Sequence, residues 1–403
     1  MALIPLDLPA GVYRNGTEFQ AQGRWRDSNL VRWFENTLRP IGGWRTRSDT
    51  ASAGQIRGLH GWLENGGDSW IAAGSYNKLY VYNAGGTQFD ITPAGLTAGN
   101  EDAIQSSGYG SSFYGAEAYG VERQQLSAVV PATTWALDSF GQNLVACSSK
   151  DGKVYEWTLN TSTLPTAITN APVNNRSILV TEERFLMCLG AGGNPRLVQW
   201  SDRENNTVWS PLATNEAGSL ELQTNGVIEC GVRVQNQALI LTNIDAHVAT
   251  YSGPPYVYGI ERVGTACGIV SNNAIGVVDK GAMWMGNRSF FYYSGGTVAE
   301  VDCEVADYVF SDINHGQSSK VAAVTNANFG EVWWFYPSSS SNENNRYVSY
   351  NYLNNTWAIG QISRTAGIDA GIFAHPIIAS AVNKKLYEHE VGFNYDGVEP
   401  FVE

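Results

Sequence analysis

A short aromatic run closed by a tight polar turn recurs along most of this 403-residue chain. Leu79-Tyr80-Val81-Tyr82 leads into Ala84-Gly85-Gly86-Thr87, and Phe290-Phe291-Tyr292-Tyr293 leads into Ser294-Gly295-Gly296-Thr297. Gly-Gly between two such runs signals a hairpin, because glycine takes positive φ without steric cost. A second unit is a strand followed by Asn-Asn-Thr and a tryptophan. It occurs as Leu197-Val198-Gln199-Trp200 with Asn205-Asn206-Thr207-Val208-Trp209, and as Tyr347-Val348-Ser349-Tyr350 with Asn354-Asn355-Thr356-Trp357. Aromatic strands fall near residues 80, 155, 198, 250, 291, 348 and 387, with gaps of 75, 43, 52, 41, 57 and 39. Most of those gaps lie near the ~40–50 residues of a four-stranded propeller blade. The spacing predicts an all-β fold, a β-propeller of about seven four-stranded blades; six and eight also fit.

Composition agrees with many short strands and tight turns. Charged residues are only 16%, against ~25% in an average domain, and Gly, Asn, Ser and Thr take their place. The net charge of −13 is uneven: residues 1–57 carry +3 and the rest −16. A body this acidic argues against tight nucleic-acid binding, which needs Lys and Arg against phosphate. Five cysteines, at 147, 188, 230, 267 and 303, form no C-x-x-C motif. They read as free buried thiols of a reducing cytoplasm. No secretory signal and no run of apolar residues long enough to span a membrane is expected.

The organisation expected is an Arg-rich N-terminal arm over residues 1–53 and a propeller body over 54–403. Within the arm, Asp27-Ser28-Asn29-Leu30-Val31-Arg32-Trp33-Phe34-Glu35 predicts a short helix: Ser28 can cap it, and Leu30, Trp33 and Phe34 share one face. A Gly/Ser/Tyr-rich insertion is expected at about 95–132, its Tyr109, Phe113, Tyr114 and Tyr119 forming a distal contact loop. The 57-residue gap is ascribed to residues 338–345, read as a flexible hairpin tip. Glu304-Val305-Ala306-Asp307-Tyr308-Val309-Phe310 predicts one more helix.

Signals for chemistry are sparse. The histidines, His60, His247, His315, His375 and His389, make no metal-ligand spacing. Glu388-His389-Glu390 is the most suggestive cluster, but strand alternation points His389 away from both acids. Ser149-Lys150-Asp151-Gly152 with Trp157 approaches a turn found in propeller glycosidases, yet it occurs once. No Gly-x-Ser-x-Gly elbow and no phosphate-binding loop is present. The 13 tryptophans read as packing between sheets, not as stacking platforms for bases. On these grounds the chain is expected not to be an enzyme and to need no metal or cofactor. Arg14, Arg24, Arg26, Arg32, Arg39, Arg45 and Arg47 are the candidates for contact with a partner.

Three segments resemble the tail hub, or nozzle, family of short-tailed bacteriophages, also described as packaged-DNA stabilisation proteins. They are Arg24-Trp25-Arg26-Asp27-Ser28-Asn29 through Leu38-Arg39-Pro40-Ile41-Gly42-Gly43-Trp44, residues 194–209, and residues 219–315. Together they cover at most about a third of the chain. The resemblance implies a virion-tail protein made in the host bacterial cytoplasm. It implies a homohexameric ring below the portal that docks on a head-to-tail adaptor ring and bears distal tail fibre, spike or needle proteins. Double-stranded DNA would pass its lumen without specific binding. The Arg-rich arm is then expected to dock on the adaptor or on a neighbouring subunit, and deletion of residues 1–47 to leave a folded propeller that no longer joins tails. A propeller binding module and a glycan-acting tail-tip protein are the alternatives.

Overall fold

The computed structural model describes residues 8–35, 37–104 and 129–403. It is a β-propeller of seven four-stranded antiparallel blades. Blade 1 is Ile56–Leu63, Ser69–Ser75, Leu79–Tyr82 and Gln88–Asp90. Blade 2 is Trp135–Phe140, Asn143–Ser148, Val154–Trp157 and Thr166–Ala167, and blade 3 is Ser177–Val180, Leu186–Leu189, Leu197–Trp200 and Gly218–Glu221. Blade 4 is Ile228–Val234, Gln237–Thr242, Asp245–Gly253 and Val257–Thr265, and blade 5 is Ile275–Val278, Gly281–Met285, Phe290–Ser294 and Thr297–Val301. Blade 6 is Ala322–Asn326, Glu331–Tyr336, Arg346–Asn351 and Thr356–Gly360. Blade 7 takes Arg364–Ile368, Ile377–Ser380 and Leu386–His389 from the C-terminal part and its outermost strand, Trp44–Thr46, from the N-terminal part.

All seven aromatic runs picked out by their spacing prove to be the third strand of a blade. That strand lies between two others and is covered by the next blade, so aromatic and β-branched side chains fit it best. Ser294 and Thr297 face each other across Gly295 and Gly296, at φ 61° and 88°, a two-residue hairpin that a side-chain-bearing residue would strain. The two Asn-Asn-Thr units differ in place. Residues 354–356 make the last hairpin of blade 6, whereas residues 205–207 sit in a long excursion before the fourth strand of blade 3. The 57-residue gap holds the predicted helix, observed at Ala306–Asp312 between blades 5 and 6. Residues 338–345 are no free tip, since Asn344 is fully buried there.

The core is a succession of layers between neighbouring blades. Tryptophans staple these layers. Trp135 of blade 2 donates its indole N–H to the Ser75 carbonyl of blade 1 at 2.6 Å, and Trp334 of blade 6 to the Ala274 carbonyl before blade 5 at 3.0 Å. Each ring buries a large apolar face, and its single donor is satisfied. Cys147, Cys188, Cys230 and Cys267 are buried free thiols, and burial pushes Cys147 up to about 12.

The expected helix at 27–35 is a correction: Ser28–Asn29 and Val31–Phe34 are strands. Ser28–Asn29 pairs with Phe401–Val402, and Val31–Phe34 forms a hairpin with Thr37–Pro40. The apolar spacing fits a helix, but the extended form lets Arg32 reach Glu331 at 3.0 Å and Glu390 at 2.5 Å. A charge that is 3% exposed needs such partners far more than the backbone needs a helix.

His389 sits inside the closing blade. Arg364 Nε donates to its Nε2 at 2.8 Å, which requires the neutral ring. Burial and the Arg364 charge hold its pKa well below the ordinary 6.5. His60 and His247 are lowered too, chiefly by burial. The unfolded chain therefore takes up these protons first. Stability is complete above pH 6.5 and falls as pH drops through the window between that value and the lower folded-state values. The loss is about 1.4 kcal/mol per pH unit for each histidine. In thermal melts at stepped pH, His389→Gln is expected to flatten this acid limb.

Candidate site at the mouth of the central channel

The first strands of the seven blades run side by side around a central channel. Where these strands begin, the loop before blade 5 reaches across it, Asn272 donating to the Thr134 hydroxyl and Asn273 to the Arg57 carbonyl, each at 2.6 Å. Arg57, at the start of blade 1, donates to both Glu343 carboxylate oxygens at 2.8 and 2.5 Å. Lys320, fully buried, pairs with Asp102 and donates to the Asn342 carbonyl. Gln317 exchanges two hydrogen bonds with the Ala103 backbone, at 2.9 and 3.0 Å. Burial would raise the Glu343 carboxyl, but Arg57 and Lys320 outweigh it and hold the pKa below the ordinary value. This ion cluster pins residues 338–345, the segment 315–320 and the stem of the insertion into one plug. Ile104 and Val130 bridge at the base of that stem. Tyr109, Phe113, Tyr114 and Tyr119 lie outside the described residues.

Below the plug the channel is a cavity of about 360 Å³, walled mostly by small and aliphatic residues such as Gly58, Ala136, Ile178, Gly231, Ile275 and Ala323. Charge and polarity concentrate at its other end on His60 of blade 1, Asp138 of blade 2 and Arg233 of blade 4. Arg233 donates to Asp138 at 3.1 Å and remains 40% exposed, while Asp138 is 8% exposed. The second Asp138 oxygen accepts the Val180 N–H at 2.8 Å. His60 stacks on Trp62 at 5.8 Å, and among the described residues its buried Nε2 has no hydrogen-bond partner. Burial lowers the His60 pKa, Asp138 raises it and Arg233 lowers it. The result is a neutral imidazole at neutral pH, able to accept or donate one proton, beside a carboxylate already held by an arginine. Among the described residues no cluster of metal-binding side chains occurs.

Sequence reasoning missed this trio. Its members are 78 and 95 residues apart, and only the closure of the ring brings them together. The one usable signal was that each lies in the first strand of its blade.

The seven arginines of the arm lie elsewhere, and most are engaged within the chain. Arg24 holds both Glu304 oxygens at 2.7 Å. Arg14 lies over the Tyr308 ring at 4.0 Å and pairs with Asp27 at 3.3 Å. Arg26 approaches Glu18 at 3.7 Å. Arg32 is buried between Glu331 and Glu390. Arg45 and Arg47 share Glu388 at 2.6 and 2.5 Å. Burial would raise Glu388, and these two arginines lower it. Arg39, 49% exposed and 4.0 Å from Glu35, is the least engaged. Asp151 of the glycosidase-like turn accepts the Thr97 N–H and the Tyr155 hydroxyl, a turn-building role.

No protein-family model and no curated protein sequence matches the chain. Solved structures do match in fold. Selenomethionine-substituted virginiamycin B lyase from Staphylococcus aureus aligns over 86% of this chain and 97% of its own at 11% identity, TM-score 0.52. A catalytically inactive histidine-to-alanine form of that lyase, with quinupristin, aligns over 86% and 98% at 10% identity, TM-score 0.52. The Cps50 (Swd1) β-propeller domain of Myceliophteria thermophila aligns over 86% and 99% at 9% identity, TM-score 0.50. At these identities the likeness is one of fold alone. It still overturns the expectation that the chain is not an enzyme, which rested on missing motifs. A lyase is built on the same propeller scaffold, so residues distant in sequence can assemble a site that no short motif announces. The chain is a seven-bladed β-propeller, similar in fold to a lyase and to the Cps50 (Swd1) propeller domain.

Proposed function

We propose that this chain is a propeller-type binding module that receives a polar group of a ligand or partner at the open end of its channel. The observation that carries this reading is the trio His60, Asp138 and Arg233 at the mouth of a cavity plugged at its far end. A concave pocket with a few convergent polar groups is the usual form of a ligand site. Arg233 keeps donors free beyond its bond to Asp138. Ligand-observed NMR with a panel of small carboxylates, amino-acid amides and sugars tests it. At least one compound is expected to bind, and Arg233→Gln to weaken that binding tenfold or more with an unchanged melting temperature. Binders indifferent to Arg233→Gln would refute the assignment.

A second reading concerns the assembly. We infer a subunit of a short-tailed phage tail hub, a hexameric ring that joins an adaptor, carries distal tail proteins and passes DNA. Its support is the sequence resemblance, together with the placement of the first resembling segment. Within it Ser28 bonds the Ile359 carbonyl of blade 6, Arg32 lies between Glu331 and Glu390, and Trp44 pairs with His389 of blade 7. The acidic body would repel DNA in transit. Mass photometry and electron microscopy of the protein, alone and with adaptor rings, are expected to show hexamers or joint rings. A persistent monomer that never joins them excludes this reading.

A further inference from the structure

A cavity of about 720 Å³, separate from the channel, is a cleft between blades 5 and 6. One wall is the outer strand of blade 5 and the residues after it, with Asp302; Glu300 stands on the opposite face of the sheet from Tyr292, and Asp279 and Lys280 form the turn between the first two strands. Aromatic rings of Tyr292, Tyr352 and Trp357 supply the rest. Asp279 and Asp302 are exposed and, among the described residues, pair with no cation. Glu304, at the same cleft, differs in that Arg24 of the arm already occupies it, while Arg14 covers the ring of the nearby Tyr308. The chain thus displays what this surface accepts: an arginine-bearing stretch that pairs with carboxylates and stacks on aromatic faces.

A second observation fixes the form of the occupant. Outside blade 6 the chain's own arm runs along the last strand, with Val12 donating to the Trp357 carbonyl at 2.8 Å and Ser28 bonded to Ile359. Thr297–Val301 of blade 5 has no such cover. Among the described residues its backbone pairs only with Phe290–Ser294, so its outer row of donors and acceptors is open to another strand.

We infer that this cleft binds an extended segment of another protein bearing arginine or lysine. The segment adds to the edge of Thr297–Val301 and sets its cations on Asp302 and Asp279 beside Tyr292 and Tyr352. Fluorescence anisotropy tests this with a labelled octapeptide alternating arginine and valine, its glutamate counterpart and a labelled neutral oligosaccharide. The arginine peptide is expected to bind, more weakly at high salt. The double variant Asp279→Asn, Asp302→Asn is expected to weaken it about tenfold or more. These side chains are exposed, so the fold should hold, and a matching melting curve checks that. Glu399→Gln, an exposed acid elsewhere, serves as control. Three results would overturn the inference: equal weakening by the control, which makes the attraction one of net charge alone; equal binding of the glutamate peptide; or binding of the oligosaccharide only.

Discussion

Replacing Arg32 with alanine is expected to cost about 3–5 kcal/mol of folding stability at neutral pH. The side chain is 3% exposed and faces Glu331, equally buried, and Glu390. It also lies 3.7 Å above the Phe329 ring. Burial opposes its charge, but the two carboxylates outweigh that and raise its pKa. Without the guanidinium, Glu331 and Glu390 confront each other with no counter-charge. Protons can replace it only in part, so the penalty should shrink as pH falls into the carboxylate range. Urea melts at neutral and acid pH check both statements. A loss below about 1 kcal/mol, the range of an exposed pair, would mean that the clamp is not as buried as described.

The second large effect is expected from shortening the arm. Deletion of residues 1–27 removes the segment beside the helix at 306–312 and the Arg24–Glu304 pair, but leaves every blade four-stranded. Deletion of residues 1–47 also removes Trp44–Thr46. Blade 7 then loses its outer strand, Glu388 loses both arginines, and Trp44, 5% exposed against Tyr395 and His389, leaves a void. A buried tryptophan alone is worth about 3–5 kcal/mol. The longer deletion is therefore expected to give aggregating or partly unfolded protein, not the intact propeller that a detached arm would leave behind. Size-exclusion chromatography and circular dichroism of the two truncations decide the matter. A well-folded monomer lacking residues 1–47 would show that the closing strand is dispensable.

Much of the architecture was legible because its cause is local. The third strand of each blade is packed on both faces and so reads as an aromatic run, and seven runs count seven blades. The helix at Ala306–Asp312 followed the same logic. What failed was decided at long range. Leu30, Trp33 and Phe34 obey a helical spacing, yet Arg32 finds its partners some 300 and 358 residues away, at Glu331 and Glu390. Residues 338–345 carry the composition of a loose tip, but Arg57 and Lys320 draw Glu343 and Asn344 into the plug. The channel trio left no local trace, for a histidine, an aspartate and an arginine in separate strands carry no pattern until the ring closes. The arm stood out by its charge, and that charge has a structural cause. Arg24, Arg32, Arg45 and Arg47 neutralise acids of blades 6 and 7 and of the segment between blades 5 and 6.

Closure by Trp44–Thr46 also bears on how the molecule is made. Synthesis runs from the N-terminus, so these residues leave the ribosome before any blade exists, whereas their partner, Leu386–His389, emerges only after blades 1 to 6. In the interval the strand must stay unpaired while blades 1 to 6 assemble in order behind it. The final pairing spans some 340 residues and comes late, because distant contacts close slowly. The nascent propeller is therefore an open arc with two bare edges until Leu386–His389 pairs with Trp44–Thr46. The acids of the body keep such arcs apart, and the arginines beside the closing strand meet their carboxylates only when the circle is joined.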